Sequence, residues 1–135
     1  IAAFSIFFNI MLNGCSSGSY EITTKFVTSK WQLEKLNGSA LTLTDTKQVT
    51  LEINAEAENA AGQAPCNKYS CSYDQYNDEI KFNTITSTKM ACDDLGKESE
   101  YYTMLGTITK YKVSGDKLFL YAGSKIVAEF SKLKP

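Results

Sequence analysis

Three cysteines, a cluster of carboxylates and a Ser–Lys pair carry the reactive chemistry this chain has to offer. Cys66, Cys71 and Cys92 form a thiolate set of the kind that takes Cu(I) or zinc. With no histidine in the chain and no fourth cysteine in the set, a closed zinc site would be incomplete. In an oxidising compartment the same thiols would pair, leaving one over or bridging two molecules. Cys66 and Cys71, if extended, lie roughly 16 Å apart at ~3.3 Å per residue, so a bridge between them requires a turn. Cys71 shares its parity with Tyr69 and Tyr73 and reads as a small buried side chain. Asp93, Asp94, Glu98 and Glu100 could serve acid–base work or calcium, but helix capping and a solvated helix face explain them more simply. Ser87 and Lys89 share a face of an extended strand as nucleophile and amine, with no third residue to orient them. The absence of histidine removes the usual general base and zinc ligand together. The expectation is a chain that is not an enzyme and that holds no cofactor and no metal.

The fourth cysteine, Cys15, follows the uncharged apolar run Ile1 to Leu12, which has the length of a signal-peptide core and is too short to span a bilayer. Leu12-Asn13-Gly14-Cys15 resembles the lipobox of bacterial lipoproteins, and the polar stretch Ser16 to Ser19 follows it. The expected lipidation site is therefore Cys15. No initiator methionine or basic n-region precedes Ile1, so residues 1–14 are expected to be the end of a longer signal peptide. Residues 15–29 are rich in Ser, Thr and Gly and read as a tether. The expected partner is the membrane, through the lipid, and the expected location is the cell envelope. Ser16 after the acylated cysteine favours the outer membrane, facing the periplasm, in a Gram-negative cell. With a net charge of −1 and no Lys-rich block, nucleic acid is not an expected partner.

These groups need a scaffold, and residues 30–135 supply one domain's worth of alternating strands. Trp31 and Leu33 alternate with Gln32 and Glu34, and Asn37-Gly38 closes the run with a tight-turn dipeptide. Val49, Leu51 and Ile53 put three apolar side chains on one face. Tyr69, Cys71 and Tyr73 lead through Asn77-Asp78 to Ile80 and Phe82, a hairpin. Tyr111 and Val113, then Leu118 to Tyr121, then Ile126, Ala128 and Phe130 form a three-strand meander. The alanine-rich stretch from Glu56 to Pro65 stays unassigned between loop, turn and weak strand. Only Tyr101, Met104, Leu105 and Ile108 fall at helical spacing, predicting one helix at about 94–105 with Asp93 or Asp94 as its cap. Gly106 is placed for a left-handed C-terminal cap. Eight tyrosines, including the adjacent Tyr101 and Tyr102, could line a recognition surface, although strand formation and core-edge packing account for most of them.

Four pieces of the chain, in order, resemble the META/HslJ-like domain family, whose bacterial members include a heat-shock lipoprotein. They are Trp31-x-Leu33-x-x-Leu36-Asn37-Gly38, Cys66-Asn67-Lys68-Tyr69, Ser87-Thr88-Lys89-Met90-Ala91-Cys92 and Glu98-x-x-Tyr101-x-x-x-Leu105. The chain departs from the family pattern at Pro65 and at Cys71, where members commonly have Gly. The resemblance implies a mainly β (α+β) fold: a small, partly open antiparallel β-barrel or curved sheet with one packed helix. It also implies a structural role for Trp31, Asn37, Gly38, Asn67, Thr88, Met90 and Glu98, and a Cys66–Cys92 disulfide tying helix to sheet. It implies no catalytic activity. The function expected from it is a non-catalytic envelope lipoprotein, related to envelope stress or binding an envelope protein. The alternative is a carrier of a small apolar ligand inside the barrel.

Overall fold

The computed structural model describes residues 24–44 and 47–134. Cys15, the apolar run before it and most of the expected tether lie outside the described residues. The strands are β1 Lys30–Leu36, β2 Ser39–Ala40, β3 Thr50–Asn54, β4 Asn59–Gln63, β5 Lys68–Tyr76, β6 Glu79–Phe82 and β7 Thr86–Ser87, then β8 Lys110–Ser114, β9 Lys117–Ala122 and β10 Lys125–Lys132 after the helix Leu95–Leu105. All pairings are antiparallel, in the order β10-β9-β8-β6-β5-β4-β3-β1-β2, and β10 also pairs with β1. That last ladder closes eight strands into a barrel, with β2 and β7 as additions. The thinnest seam lies between β6 and β8, where only Glu79 and Lys110 stand opposite each other.

The alternation read from the sequence sets which side chains point inward. Trp31, Leu33, Leu51, Ile53, Tyr69, Cys71, Ile80, Phe82, Tyr111, Val113, Leu118, Leu120 and Phe130 are all buried. Asn37 (φ 50°) and Gly38 (φ 84°) are both left-handed, the conformation that lets a two-residue turn match the twist of the strands it joins. The 55–58 segment is a turn and Asn59–Gln63 is β4, whose small residues suit a tightly packed position, while Ala64 and Pro65 begin the loop to β5. A Cβ on Gly62 would stand 2.0 Å from the Thr50 carbonyl oxygen of β3. Replacement of Gly62 by Ala is therefore expected to push β4 off β3 and cost about 1–3 kcal/mol, read as a lowered denaturant midpoint.

Three expectations need correction. The folded part reaches back past Lys30, because residues 24–28 form a helical turn whose Phe26 is fully buried. Its ring stacks on Tyr111 at 4.1 Å, and its carbonyl accepts the Trp31 Nε1–H at 3.1 Å. In β10 a bulge between Ile126 and Ala128 shifts the register, so that Val127 is buried and Ile126 is exposed. At the helix ends, Gly106 is right-handed (φ −69°, ψ −14°), not left-handed, and Asp94 makes no side-chain cap. The Asp94 carboxylate instead accepts the Thr44 N–H, at 2.9 and 3.2 Å to its two oxygens.

Candidate functional site

The helix packs with Glu98, Tyr101 and Leu105 on its buried side, positions three and four residues apart and hence on one face. Glu98 was expected on a solvated face, yet it is only 5 % exposed. A buried carboxylate requires donors, and the loop between β4 and β5 provides them. Glu98 Oε1 accepts the backbone N–H of Cys66 at 3.0 Å and of Asn67 at 2.8 Å, while Oε2 accepts Asn67 Nδ2–H at 2.8 Å. The second Nδ2 hydrogen goes to the Met90 carbonyl at 3.0 Å. Asn67 Oδ1 accepts the Met90 N–H at 2.8 Å and the Thr88 hydroxyl at 2.9 Å. Every donor and acceptor site of this amide is in use, which fixes its orientation.

Cys66 and Cys92 are joined by a disulfide, with Cα atoms 5.7 Å apart, as the resemblance implies. The bridge and the Asn67–Glu98 network tie together the same three pieces: the β4–β5 loop, the 88–92 segment and the helix. Cys71 remains a free, buried thiol. Two of the three sulfurs of the thiolate-metal reading are thus spent in a covalent bond. Lys89 Nζ reaches Ser87 Oγ at 3.4 Å, but on an exposed part of the surface. The other motif residues are brought to structural tasks as well. Trp31 is buried, and Asn37 Nδ2 donates to Glu100 Oε1 at 3.1 Å, binding the β1–β2 turn to the helix. Met90 serves the network through its backbone, while its side chain is 63 % exposed.

Inside the barrel, Tyr69 donates to the Thr50 carbonyl at 2.8 Å, so Tyr101 must be the donor in the 2.6 Å Tyr101–Tyr69 contact. Burial, followed by the proximity of Tyr101, raises the Tyr69 hydroxyl well above its ordinary 10.0, and burial likewise raises Tyr101. Burial pushes the Cys71 thiol from 9.0 up to about 11. Groups that ionise less readily in the fold than in the open chain leave stability intact below their ordinary values and remove it as pH climbs towards the raised ones. Stability is expected to fall steadily from about pH 9 upward. Denaturant midpoints measured across that range check it, and Tyr69→Phe should flatten the decline. A flat profile would show that these groups are not held neutral. At neutral pH Cys71 should resist iodoacetamide in the native protein and react in denaturant.

The interior is filled by Trp31, Phe26, Tyr101, Phe130, Leu51, Leu118 and Leu120, all essentially inaccessible. The described clefts lie outside it. One of about 600 Å³ runs between the segment after β6 and the C-terminal half of the helix, walled by Lys81, Phe82, Ser87, Lys89 and Tyr102. It shares Lys81 and Gly106 with a cleft of about 550 Å³ at the β6–β8 seam. It shares Ser87, Lys89 and Tyr102 with a third, of about 310 Å³, beside Asn67 and Met90. Sequence reasoning missed this groove because no residue pattern marks how the helix lies against the segment after β6. The sequence also marks Glu98 as a structural motif residue, but not its burial, whose signal is its spacing from Tyr101 and Leu105.

No curated protein matches the chain. Among solved structures, an NMR structure of a protein from Burkholderia xenovorans is similar over 100 % of both chains, at 20 % identity and a TM-score of 0.67. A second NMR structure matches at 17 % identity, over 80 % of this chain and 92 % of its own, with a TM-score of 0.62. A crystal structure of a DUF4847 family protein from Bacteroides vulgatus matches at 12 % identity, over 78 % and 93 %, with a TM-score of 0.60. Identities this low show a shared fold. The family model for the META domain matches residues 24–134, a range that spans all the described residues, and the chain belongs to the META domain family.

Proposed function

We propose that this chain is a non-catalytic lipoprotein of the bacterial envelope, anchored through Cys15, whose META domain works by binding a protein partner. The observation that carries the reading is the Asn67–Glu98 network. The residues that look most like a reaction centre are saturated with one another, which suits a rigid display scaffold and leaves none of them poised for chemistry. The filled interior weighs against the apolar carrier. The lipidated location rests on the apolar run and the sequence Leu12-Asn13-Gly14-Cys15, and outer-membrane placement on Ser16. A role in envelope stress rests on the family resemblance alone.

The anchor is tested by expressing the full chain and a Cys15→Ala form in a Gram-negative host fed an alkynyl palmitate. The parent is expected to take the label and fractionate with outer membranes, and the variant to lose both. An unlabelled parent, or a variant equally membrane-bound, defeats the anchoring claim. A strain lacking the protein should survive heat shock less well than its parent, with rescue by the parent chain and not by Cys15→Ala.

A further inference from the structure

We propose that the groove along β6 and β7 is a docking site for an extended, acidic segment of a partner protein, added as a further strand along the side of β7 and the end of β6 that face away from β5. The proposal deepens the partner-binding reading and rests on it. The ring is closed at this seam by a short ladder, which leaves the last residues of β6 and all of β7 without a strand on their far side. β6 and β8 are paired at Glu79 and Lys110, flanked by the Ile80 N–H to the Thr109 carbonyl at 3.1 Å and the Tyr111 N–H to the Asp78 carbonyl at 2.9 Å. Past that point the chain on the far side turns away into Gly106 and the helix. β7 pairs only with β5, through Tyr69–Ser87 and Ser70–Thr86.

Backbone groups along an antiparallel strand point alternately to its two sides. The Asn83 and Thr88 N–H groups face β5, bonding to Ser72 and Lys68 carbonyls at 2.9 and 3.1 Å. Phe82, Ser87 and Lys89 therefore turn their backbone groups to the groove, where no described strand meets them. An exposed row of this kind is a template for strand addition.

The groove also favours a particular occupant. Lys81 and Lys89 are the charged residues lining its central cleft, while the carboxylates Asp74, Glu79 and Glu98 line only the clefts at its two ends. The Tyr102 hydroxyl, on the same wall, is buried and finds no well-formed hydrogen bond among the described residues, with Ser87 and Glu98 close enough only for weak ones. Met90 and Leu95, both exposed, form an apolar lip where the groove runs out beside the motif network. A strand that presents a carboxylate to the lysines and apolar side chains to this lip would satisfy each of these features.

The test uses the full chain, isotope-labelled and held in dodecylmaltoside micelles, with two probe peptides: acetylated Thr-Val-Thr-Glu-Thr-Val-Thr amide and its Lys counterpart. The Glu peptide is expected to shift the amide signals of Phe82, Ser87 and Lys89, at least tenfold more tightly than the Lys peptide. The double variant Lys81→Glu/Lys89→Glu, both positions being exposed, should fold and invert the preference. Ser87→Pro, which removes a donor on the groove side, should weaken both peptides while leaving the melting temperature within a few degrees. Equal response to the two peptides, no localised shift, or shifts centred on another face overturn the proposal. So do shifts at these amides that grow with protein concentration alone, since they would make a second copy the occupant. None of these outcomes touches the Cys15 labelling result, so loss of the groove and loss of the anchor are read separately.

Discussion

Replacing Glu98 with Ala is expected to cost on the order of 3–4 kcal/mol, because three donors to a charged acceptor lose their partner in a buried place. The Cys66 and Asn67 N–H groups and Asn67 Nδ2 would all be left facing a cavity. In a domain of this size that loss lowers the melting temperature by roughly 10–20 °C. Glu98→Gln should be milder, at about 2 kcal/mol. Its carbonyl can still accept the two backbone donors, but its NH2 would face the Asn67 NH2. Asn67 cannot flip to relieve this, since its Oδ1 is held by the Met90 N–H and the Thr88 hydroxyl. Adding Asn67→Asp restores an acceptor opposite the Gln amine, at the expense of the donor to the Met90 carbonyl. The double variant should therefore be more stable than the sum of the single losses predicts, with a coupling of about 1 kcal/mol or more. Strict additivity in denaturant unfolding would mean the two side chains do not share these bonds in solution.

The difference between Glu98 and Asn37 shows which parts of the fold and the site were legible in the sequence. Asn37-Gly38 announces itself because a left-handed pair is a local requirement, met by local chemistry and indifferent to the rest of the chain. The hairpin through Asn77 and the C-terminal meander are readable for the same reason, each strand lying next to its neighbour in sequence. Closure of the barrel is different. The pairing of β1 with β10, Leu33 opposite Phe130, joins the two ends of the domain, and nothing local to either strand encodes it. The bulge that exposes Ile126 is likewise a compromise between β9 on one side and β1 on the other.

Glu98 was misread by the same logic. A carboxylate on a helix is solvated by default, and only the convergence of the Cys66 and Asn67 amides makes its burial tolerable. The family motif pointed to the right residues, and the geometry supplied the reason for them: one side chain neutralises the exposed amides of a loop that a second side chain then locks. Asp94 does stand at the N-cap position, but its side chain caps nothing and instead accepts the distant Thr44 N–H. The groove beside β6 and β7 adjoins the β6–β8 seam, the place where the barrel's ladder is shortest.

Removing the disulfide by Cys66→Ala/Cys92→Ala should produce a loss of comparable size by a different route. The bridge spans a sequence separation of 26 residues. Chain-entropy reasoning assigns such a loop about 3.5 kcal/mol, acting chiefly on the unfolded chain. The native structure has no need to change, because Asn67 still bonds Met90 and Glu98 across the same gap. Near-UV circular dichroism should therefore be preserved while the denaturant midpoint falls. The denaturant slope should rise, since the unfolded chain gains exposed surface. A changed near-UV spectrum with an unchanged slope would instead make the bridge a native-state clamp. The combination with Glu98→Ala removes both fastenings between the β4–β5 loop, the 88–92 segment and the helix. The joint cost of about 7 kcal/mol approaches the whole stability of an ordinary domain, so the triple variant is expected to be largely unfolded at 37 °C.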